Sequence, residues 1–210
     1  MRVMKMNIDG IVHIGLLLHL FEDFVVVSNS VNDKYLKNFD IKIERANADI
    51  VGPYILEWED KIIVSKRSPK DLIECINKYK DVVLVDTKAN LLGNLFTIGN
   101  NGIIFSKASK KDVETLVNLT GLPAYIVKTE YLTSTLIKIY NNRAMVSQLL
   151  SDRILDKIKG ILGMEKFDVG SVNFGSPYLK YGIEINRNYL IVGDMTTGHE
   201  LIKIEEFFTK

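Results

Sequence analysis

The sequence contains little cysteine, little proline and almost no excess of charge of either sign. Its 210 residues include one cysteine and four prolines, and the formal net charge is +1. The single thiol, Cys75, excludes an internal disulfide and is typical of a reducing compartment, so we expect a cytoplasmic protein. The balanced charge excludes a basic surface spread over the whole molecule, and any contact with RNA must therefore be local.

Long apolar runs are absent as well. Residues 11–20 form an apolar run that is interrupted by His13, Gly15 and His19. It falls short of the roughly 20 apolar residues that a membrane span needs. The first residues lack the apolar core and cleavage site of a signal peptide. There is no Gly/Ser-rich or low-complexity tract, so we expect a single domain that does not contact a membrane.

The chain does contain a short motif that occurs five times. A turn pair is followed by an apolar stretch and a small closing residue, as in NNGIIFS at residues 100–106. The closing residues are Ser28, Ser65, Ser106, Ser147 and Gly193, which are 37, 41, 41 and 46 residues apart by subtraction. A period of roughly forty residues indicates a repeat architecture such as a solenoid or a propeller.

Each period contains the same order of predicted elements. Two strands are joined by the turn pair, and a helix and a third strand follow. The first strands are predicted at residues 15–21, 54–58, 94–98, 135–140 and 181–185, and the helices begin near Ser30, Ser68, Ser109, Ser151 and Thr197. The fifth period lacks its third strand, whereas residues 3–8 form a spare strand at the other end of the chain.

The simplest arrangement is a closed ring in which the spare strand completes the fifth period. Closure removes the exposed strand edges that an open array would present. We therefore predict an α/β protein that forms a closed five-bladed propeller with five-fold pseudosymmetry. The predicted repeats span residues 10–48, 49–89, 90–130, 131–175 and 176–210, and residues 1–9 close the ring.

No pattern of residues indicates catalysis or metal binding. Cys75 falls inside a predicted helix, without the helix N-terminus or cationic partner that activates a thiol, and is interpreted as a buried structural residue. His13, His19 and His199 do not have the spacing of metal ligands. The acidic stretch at residues 57–60 is interpreted as solvated. We predict no catalytic residue, no metal site and no cofactor.

Two basic clusters follow the closing serines of the second and third repeats. They contain Lys66 with Arg67, and Lys107 with Lys110. The strand directions place both at the same end of the ring as the loops that enter the first strands. Backbone N–H groups at helix starts and lysine side chains suit phosphate or an acidic protein. Ordinary solubilising lysines explain the same pattern equally well.

Several segments resemble one known family. They are HIG at residues 13–15, LGNL at 92–95, GSVNFGSPY at 170–178, VGD at 192–194 and TTGHEL at 196–201. The sequence is similar to translation initiation factor 6, the ribosome anti-association factor of archaea and eukaryotes, and its length resembles the archaeal form. The similarity runs along the whole chain, and its last third is the most specific part.

The resemblance implies a fold, a partner and a set of contacts. The family has the pentein fold, a closed ring of five α/β units. It binds the large ribosomal subunit on the face that meets the small subunit, near the sarcin–ricin loop and neighbouring ribosomal proteins, and blocks subunit joining without catalysis. A role in large-subunit biogenesis and a monomeric state are also expected. The positions that match family loops at the contact surface are Gly93, Asn94, Asn173, Gly175 and Ser176.

Two alternatives to this function remain at the level of the sequence. The same fold hosts guanidine-modifying enzymes such as deiminases, which need a loop cysteine with histidine and acidic partners at the ring centre. The position of Cys75 inside a predicted helix argues against such an enzyme. A scaffold that acts in ribosome assembly and leaves before translation would need the same surface as an anti-association factor, so the sequence does not separate these two.

Overall fold

The computed structural model describes residues 1–209, which form five three-stranded sheets. The strands are β1 (Arg2–Met6), β2 (Leu18–Leu20), β3 (Phe24–Ser28), β4 (Lys42–Ala46), β5 (Leu56–Trp58), β6 (Lys61–Ser65), β7 (Asp81–Val85), β8 (Phe96–Ile98), β9 (Ile103–Phe105), β10 (Ala124–Ile126), β11 (Ile137–Tyr140), β12 (Arg143–Ser147), β13 (Lys166–Gly170), β14 (Ile183–Ile185) and β15 (Tyr189–Gly193). The helices are α1 (Lys70–Asn77), α2 (Leu92–Leu95), α3 (Lys110–Thr120), α4 (Asp152–Leu162), α5 (Leu179–Gly182) and α6 (Gly198–Thr209).

All five sheets have the same topology. A first strand pairs antiparallel with a middle strand through the predicted turn, and a third strand runs parallel to the middle strand on its other side. In the fifth sheet the third strand is β1, which pairs with β15 in the register Arg2↔Tyr189 to Met6↔Gly193. The prediction that the first strand of the chain closes the ring is therefore confirmed.

Two of the long helices begin as their sequences indicate, and α3 also ends as its sequence indicates. The side chain of Ser109 accepts a hydrogen bond from the Asp112 N–H at the start of α3, and Gly121 ends that helix at a φ of 72°. Thr197 and Glu200 form a capping box before α6: each side chain accepts a hydrogen bond from the other residue's N–H. These short signals are local, so they predict the helix ends well.

Two predicted helix starts are corrected. The N-cap of α1 is Pro69 rather than Ser68, whose hydroxyl donates to the Asn90 carbonyl, 3.3 Å away, instead of capping the helix. In the first repeat the predicted helix after Ser30 is only a 3-10 turn, Asp33–Tyr35. Its connection from the middle to the third strand spans 14 positions (42 − 28), compared with 19 in the fourth repeat (166 − 147), which contains α4. The shorter connection contains only this single turn.

The predicted first strands were too long at their beginnings. Each one starts with a single helical turn: Ile14–Leu16, Gly52–Tyr54, α2, Thr133–Leu136 and α5. Each turn contacts the next around the ring, and the fifth contacts the first. A Cβ on Gly52 would overlap the carbonyl oxygen of Gly15, so this close approach requires glycine. We call these five turns the plug, because they close the ring centre at one end.

The apolar core is divided into five clusters that lie between neighbouring repeats. One cluster, for example, joins Ile104 and Val127 of the third repeat to Leu136, Val146 and Ile158 of the fourth. The middle strands are largely buried on both faces, which explains their continuous apolar sequences. The ring thus has two ends. The closing end carries the closing residues, the plug and the helix starts, and the turn end carries the five hairpin turns.

Candidate functional site

The closing end gathers the basic side chains that the sequence singled out. Lys66, Arg67, Lys107 and Lys110 are all exposed there. Asp86, at the end of β7, accepts a 2.7 Å hydrogen bond from the Lys111 ammonium group. This bond lowers the pKa of Asp86, and Arg67 and Lys66 add to the effect through their charges. The structure therefore brings basic residues of the second and third repeats together around one carboxylate.

The other two basic residues lie on the third repeat alone. The Lys110 ammonium nitrogen is 3.5 Å from Oε1 of Glu114, one helical turn further along α3. Such exposed pairs contribute little to stability, in general about 0–1 kcal/mol. Lys107 precedes α3 and is exposed. Both side chains thus remain accessible to a partner at the closing end.

The loop between β13 and α5 contains three further predicted contact residues. Asn173 is buried, and its amide donates to the Val12 carbonyl (3.0 Å) and accepts from the Thr196 hydroxyl (3.1 Å). It therefore shapes the loop from within. Gly175 is exposed, and the Ser176 hydroxyl lies 3.0 Å from Nε2 of His13. Of these three residues, Gly175 and Ser176 reach the surface.

Glu200 holds this loop in an unusual conformation. Asn173, Phe174 and Gly175 have φ values of 51°, 60° and 89°, three consecutive residues in the left-handed region. The N–H of Gly175 donates to Oε1 of Glu200 (2.8 Å), and the N–H of Phe174 donates to Oε2 (3.1 Å). Burial raises the pKa of Glu200, but hydrogen bonds from Thr197 and Gly175 more than offset this, and the pKa is lowered.

This conformation displays an aromatic residue, Phe174, that was not among the predicted contact residues. Phe174 is 77% exposed, although a non-glycine residue at positive φ is uncommon and costs on the order of 1 kcal/mol. The signal in the sequence was an aromatic residue between asparagine and glycine, the residues that favour left-handed turns. The loop therefore adopts an energetically unfavourable conformation in which a large apolar side chain is presented to solvent.

Gly93 and Asn94 lie in the plug rather than on the outer loops. Gly93 is buried and Asn94 is half-buried. The Tyr181 hydroxyl donates to Oδ1 of Asn94, the Ser134 hydroxyl donates to the Asn94 carbonyl, and the Lys180 ammonium group donates to the Gly93 carbonyl at 2.5 Å. Their polar groups therefore connect the third repeat to the fourth and fifth.

The ring centre contains a cavity of about 680 Å³. The first strand of each sheet contributes one polar residue to its wall, and these residues are His19, Glu57, Thr97, Lys138 and Glu184. These five residues were not among the predicted site residues, and residues 57–60 were interpreted as solvated. A signal was present, because each of these residues lies between apolar neighbours in a first strand (LHL, LEW, FTI, IKI and IEI).

The wall of the cavity is highly charged. The Lys138 ammonium nitrogen lies 3.4 Å from Oε1 of Glu184, and His19 lies between Glu184 (Nδ1 to Oε2, 3.6 Å) and Glu57 (Nε2 to Oε1, 3.2 Å). Burial raises the pKa of Glu57, but His19, Lys138 and Lys180 outweigh it and bring the pKa to about 2. Burial and the charge of Lys138 lower the pKa of Lys180 to about 8.

Cys75 lies away from this cavity. It is 4% exposed on α1, and its thiol donates to the Arg45 carbonyl at 3.3 Å. Burial, followed by the charge of Asp71, raises its pKa, which makes the thiolate scarce. Within residues 1–209, no group of three or more His, Cys, Asp or Glu side chains is placed to hold a metal ion. Over the same residues, no helix is long and apolar enough to cross a membrane.

The closed ring defines the class of protein. It is similar to a dimethylarginine dimethylaminohydrolase in an adduct with 4-chloro-2-hydroxymethylpyridine (TM-score 0.52, 13% identity, 75% of this chain and 70% of that one). A dimethylarginine dimethylaminohydrolase from Pseudomonas aeruginosa complexed with citrulline gives a TM-score of 0.53 at 13% identity, over 75% and 68% of the two chains. At this identity the likeness shows the fold alone, which is the five-fold pseudosymmetric pentein fold.

The sequence comparisons then define the family. The eIF-6 family profile matches residues 3–207, nearly the whole chain, and the chain belongs to that family. Translation initiation factor 6 of Sulfolobus acidocaldarius is 24% identical over 98% of both chains. The protein of the same name from Nanoarchaeum equitans is 24% identical over 99% of this chain and 100% of its own. The resemblance to this family is therefore confirmed.

Proposed function

We propose that this protein binds the large ribosomal subunit at its intersubunit face and thereby prevents association with the small subunit. The observation that carries the proposal is membership of the eIF-6 family along almost the whole chain, whose archaeal members are named translation initiation factors. We further propose that the protein acts as a cytoplasmic monomer and also participates in large-subunit biogenesis.

The geometry of the closing end supports this proposal. The loop with Gly175 and Ser176 and the exposed groups of Lys66, Arg67 and Lys107 all belong to that end. Exposed lysine and arginine side chains suit ribosomal RNA, whereas an exposed aromatic such as Phe174 suits an apolar pocket on a ribosomal protein. One face thus offers contacts to both ribosomal RNA and ribosomal protein. We propose that this face docks near the sarcin–ricin loop.

The proposed mechanism is steric and requires no chemical step. Five apolar clusters and a contiguous plug hold the ring together, so the docking loops are pre-organised. A pre-organised surface loses little conformational entropy on binding. The ring then occupies the surface that the small subunit would approach. Gly93, Asn94 and Asn173 contribute by fixing the shape of the closing end, and Asn94 is the most exposed of the three.

Co-sedimentation with separated ribosomal subunits tests this function. We expect the protein to pellet with large subunits and not with small ones, and to reduce the fraction of joined ribosomes when it is added before the small subunit. In the control, the protein is added after the two subunits have joined, which tests whether the order of addition matters. Binding to neither subunit, or normal joining in the presence of bound protein, would contradict the proposal.

A guanidine-modifying activity is the alternative suggested by the fold. Such an enzyme would need its cysteine in a loop at the ring centre, whereas Cys75 lies on α1 with its thiol bonded to the Arg45 carbonyl. We therefore propose a non-catalytic protein. Cys75→Ala should leave subunit binding unchanged. Conversion of arginine to citrulline and ammonia by the wild type, lost in this variant, would instead establish an enzyme.

The role in assembly is tested by comparing binding to precursor and to mature large subunits. We expect binding to both precursor and mature large subunits, since both roles would use the closing end. Binding confined to precursors would replace the anti-association function by a function in assembly alone.

A further inference from the structure

The central cavity has the size and form of a small-molecule site. Its 680 Å³ lies within the range of about 300–1,000 Å³ for such sites. The lining extends from Gly52 and Tyr181 in the plug to Glu59, Asp60 and Asn141 in the hairpin turns. The three turn residues are exposed, so the cavity is a cup that opens at the turn end and is closed by the plug.

The charges in the wall are not explained by the stability of the ring. Glu184 and Lys138 are buried, with side chains 2% and 9% exposed, and taking such groups out of water costs several kcal/mol per ion, in order of magnitude, before pairing offsets it. Apolar side chains at these positions would fill the centre without this cost. Perturbed charged groups in a cleft mark candidate functional sites.

Glu57 provides an anionic anchor with free capacity. Its side chain is 61% exposed although protein surrounds it, because it projects into the cavity. Within residues 1–209 its carboxylate has one neighbour at ion-pair distance, Nε2 of His19. A carboxylate has about four lone-pair sites for hydrogen bonds, so most of its accepting capacity is available to a bound molecule.

Lys180 provides a cationic anchor. Its ammonium group donates one hydrogen bond, to the Gly93 carbonyl, and an ammonium group has three donors. The charges of Lys180 and Lys138 both act on Glu57, which places the two signs within one cavity.

Two buried polar atoms of the wall are also unsatisfied. By hydrogen-bond geometry, neither Nε2 of His19 nor Oγ1 of Thr97 has a partner among residues 1–209; Nε2 of His19 lies 3.2 Å from Oε1 of Glu57, outside that geometry. Such atoms are few in native proteins, and each requires an explanation. Both residues line the cavity, which is consistent with a network that a bound molecule completes.

We propose that the central cavity binds a small molecule that carries both a cationic and an anionic group, with the cationic group beside Glu57 and the anionic group beside Lys180. A purely anionic molecule would meet the carboxylates of Glu57 and Glu184. A purely cationic one would meet the ammonium groups of Lys138 and Lys180. A molecule with both groups pairs with each sign at once.

The mouth of the cavity lies at the end of the ring opposite the docking surface. The cavity opens at the turn end, whereas the basic residues and the loop with Phe174 lie at the closing end. The small molecule and a macromolecular partner at the closing end therefore bind at the same time. The inference does not depend on the proposed ribosomal function, and it is tested on the free protein.

Nuclear magnetic resonance titration tests the inference with three probes of similar length. 6-Aminohexanoate carries both charges, hexylamine carries only the positive one, and hexanoate carries only the negative one. We expect 6-aminohexanoate to shift the resonances of cavity residues saturably, and to bind at least about tenfold more tightly than either single-charge probe, a difference of roughly 1.4 kcal/mol. Equal binding of the three probes, or tighter binding of hexylamine or hexanoate, would overturn the assigned ligand class.

Two variants test the site itself. Glu57→Gln should raise the dissociation constant of 6-aminohexanoate at least about tenfold, whereas Glu74→Gln, on the exposed face of α1, should not change it. Thr97→Val removes the unsatisfied hydroxyl, so it should weaken probe binding while leaving the melting temperature equal or higher. An absence of shifts with every probe, or equal affinity of Glu57→Gln and wild type, would overturn the site.

Discussion

The hydroxyl of Tyr181 donates a hydrogen bond to Oδ1 of Asn94 across the plug, joining residues that are 87 positions apart in the chain. The bond connects the third repeat to the fifth at the ring centre. Asn94 is also the position that the family resemblance assigned to the contact surface. A substitution of Asn94 therefore changes the internal bond and the surface together, and the two effects must be separated.

A pair of variants separates them. Asn94→Ala should destabilise the fold by about 1–3 kcal/mol, because it leaves the buried Tyr181 hydroxyl without an acceptor. Tyr181→Phe removes the same bond from the other side and should cost about 0.5–1.5 kcal/mol. Urea unfolding of both variants and of the double variant gives the coupling free energy between Asn94 and Tyr181. If Asn94 touches the large subunit, Asn94→Ala should weaken co-sedimentation and Tyr181→Phe should not. Equal weakening would mean that Asn94 acts through the ring geometry alone.

The basic residues of the closing end should produce a salt-dependent part of the affinity. Alanine at Lys66, Arg67, Lys107 and Lys110 should weaken binding to the large subunit and lower the slope of log affinity against log salt by about one for each lost phosphate contact. The matched control replaces four exposed lysines near the turn end, namely Lys37, Lys42, Lys159 and Lys166. It removes the same charge from the other end and should leave the slope unchanged. Similar slopes for both quadruple variants and the wild type would contradict RNA contacts at the closing end.

The exposed aromatic of the loop should contribute to docking and little to folding. Phe174→Ala should weaken binding to the large subunit about tenfold, as truncation of an aromatic anchor does. Because the side chain is 77% exposed, the free energy of unfolding should change by no more than about 0.5 kcal/mol. Ile202→Ala, at an exposed residue of α6, is the control. If Phe174→Ala binds the large subunit as tightly as the wild type, this loop tip is not part of the interface.

The carboxylate of Glu200 should make the loop sensitive to acid. Its pKa in the folded protein is lowered from the ordinary value of 4.5, so its contribution to stability is fully present above about pH 4.5 and is lost as the pH falls through the folded pKa. Glu200→Gln should therefore cost about 1–3 kcal/mol at pH 7. The difference from the wild type should shrink by pH 3 in urea unfolding. Glu165→Gln, at an exposed residue, should show no such pH dependence, and a constant difference for Glu200→Gln would contradict the assignment.

The repeat order could be predicted because it is expressed locally in the sequence, and the closure of the ring because residues 3–8 supply the strand that the fifth period lacks. Turn pairs, closing residues and helix caps act over a few positions. The plug could not be predicted in this way. Residues 15–21 form a continuous strand pattern, but Ile14–Leu16 is helical because five such segments must converge within contact distance of one another. The tertiary contacts there override the local preference.

The ring-centre residues were missed for a related reason. His19 and Glu57 are 38 positions apart (57 − 19), and nothing in the residues between them indicates that they meet at 3.2 Å. The polar position at the centre of each first strand becomes visible only when all five repeats are aligned with one another. Likewise, the conformation that exposes Phe174 depends on Glu200, a residue in another element. Sequence spacing within one element shows neither relationship.

The pairing of β1 with β15 has a consequence for the order of events during folding. In the four other sheets the third strand follows the middle strand along the chain, so those sheets assemble from neighbouring segments. The fifth joins Arg2 to Tyr189, and bringing such distant segments together carries the largest loop-closure entropy of the molecule. During synthesis β1 remains an unpaired strand until the last repeat, which contains β15, has been made. A circular permutant that carries β1 after α6 would make every sheet local, shorten this wait and fold faster into the same ring.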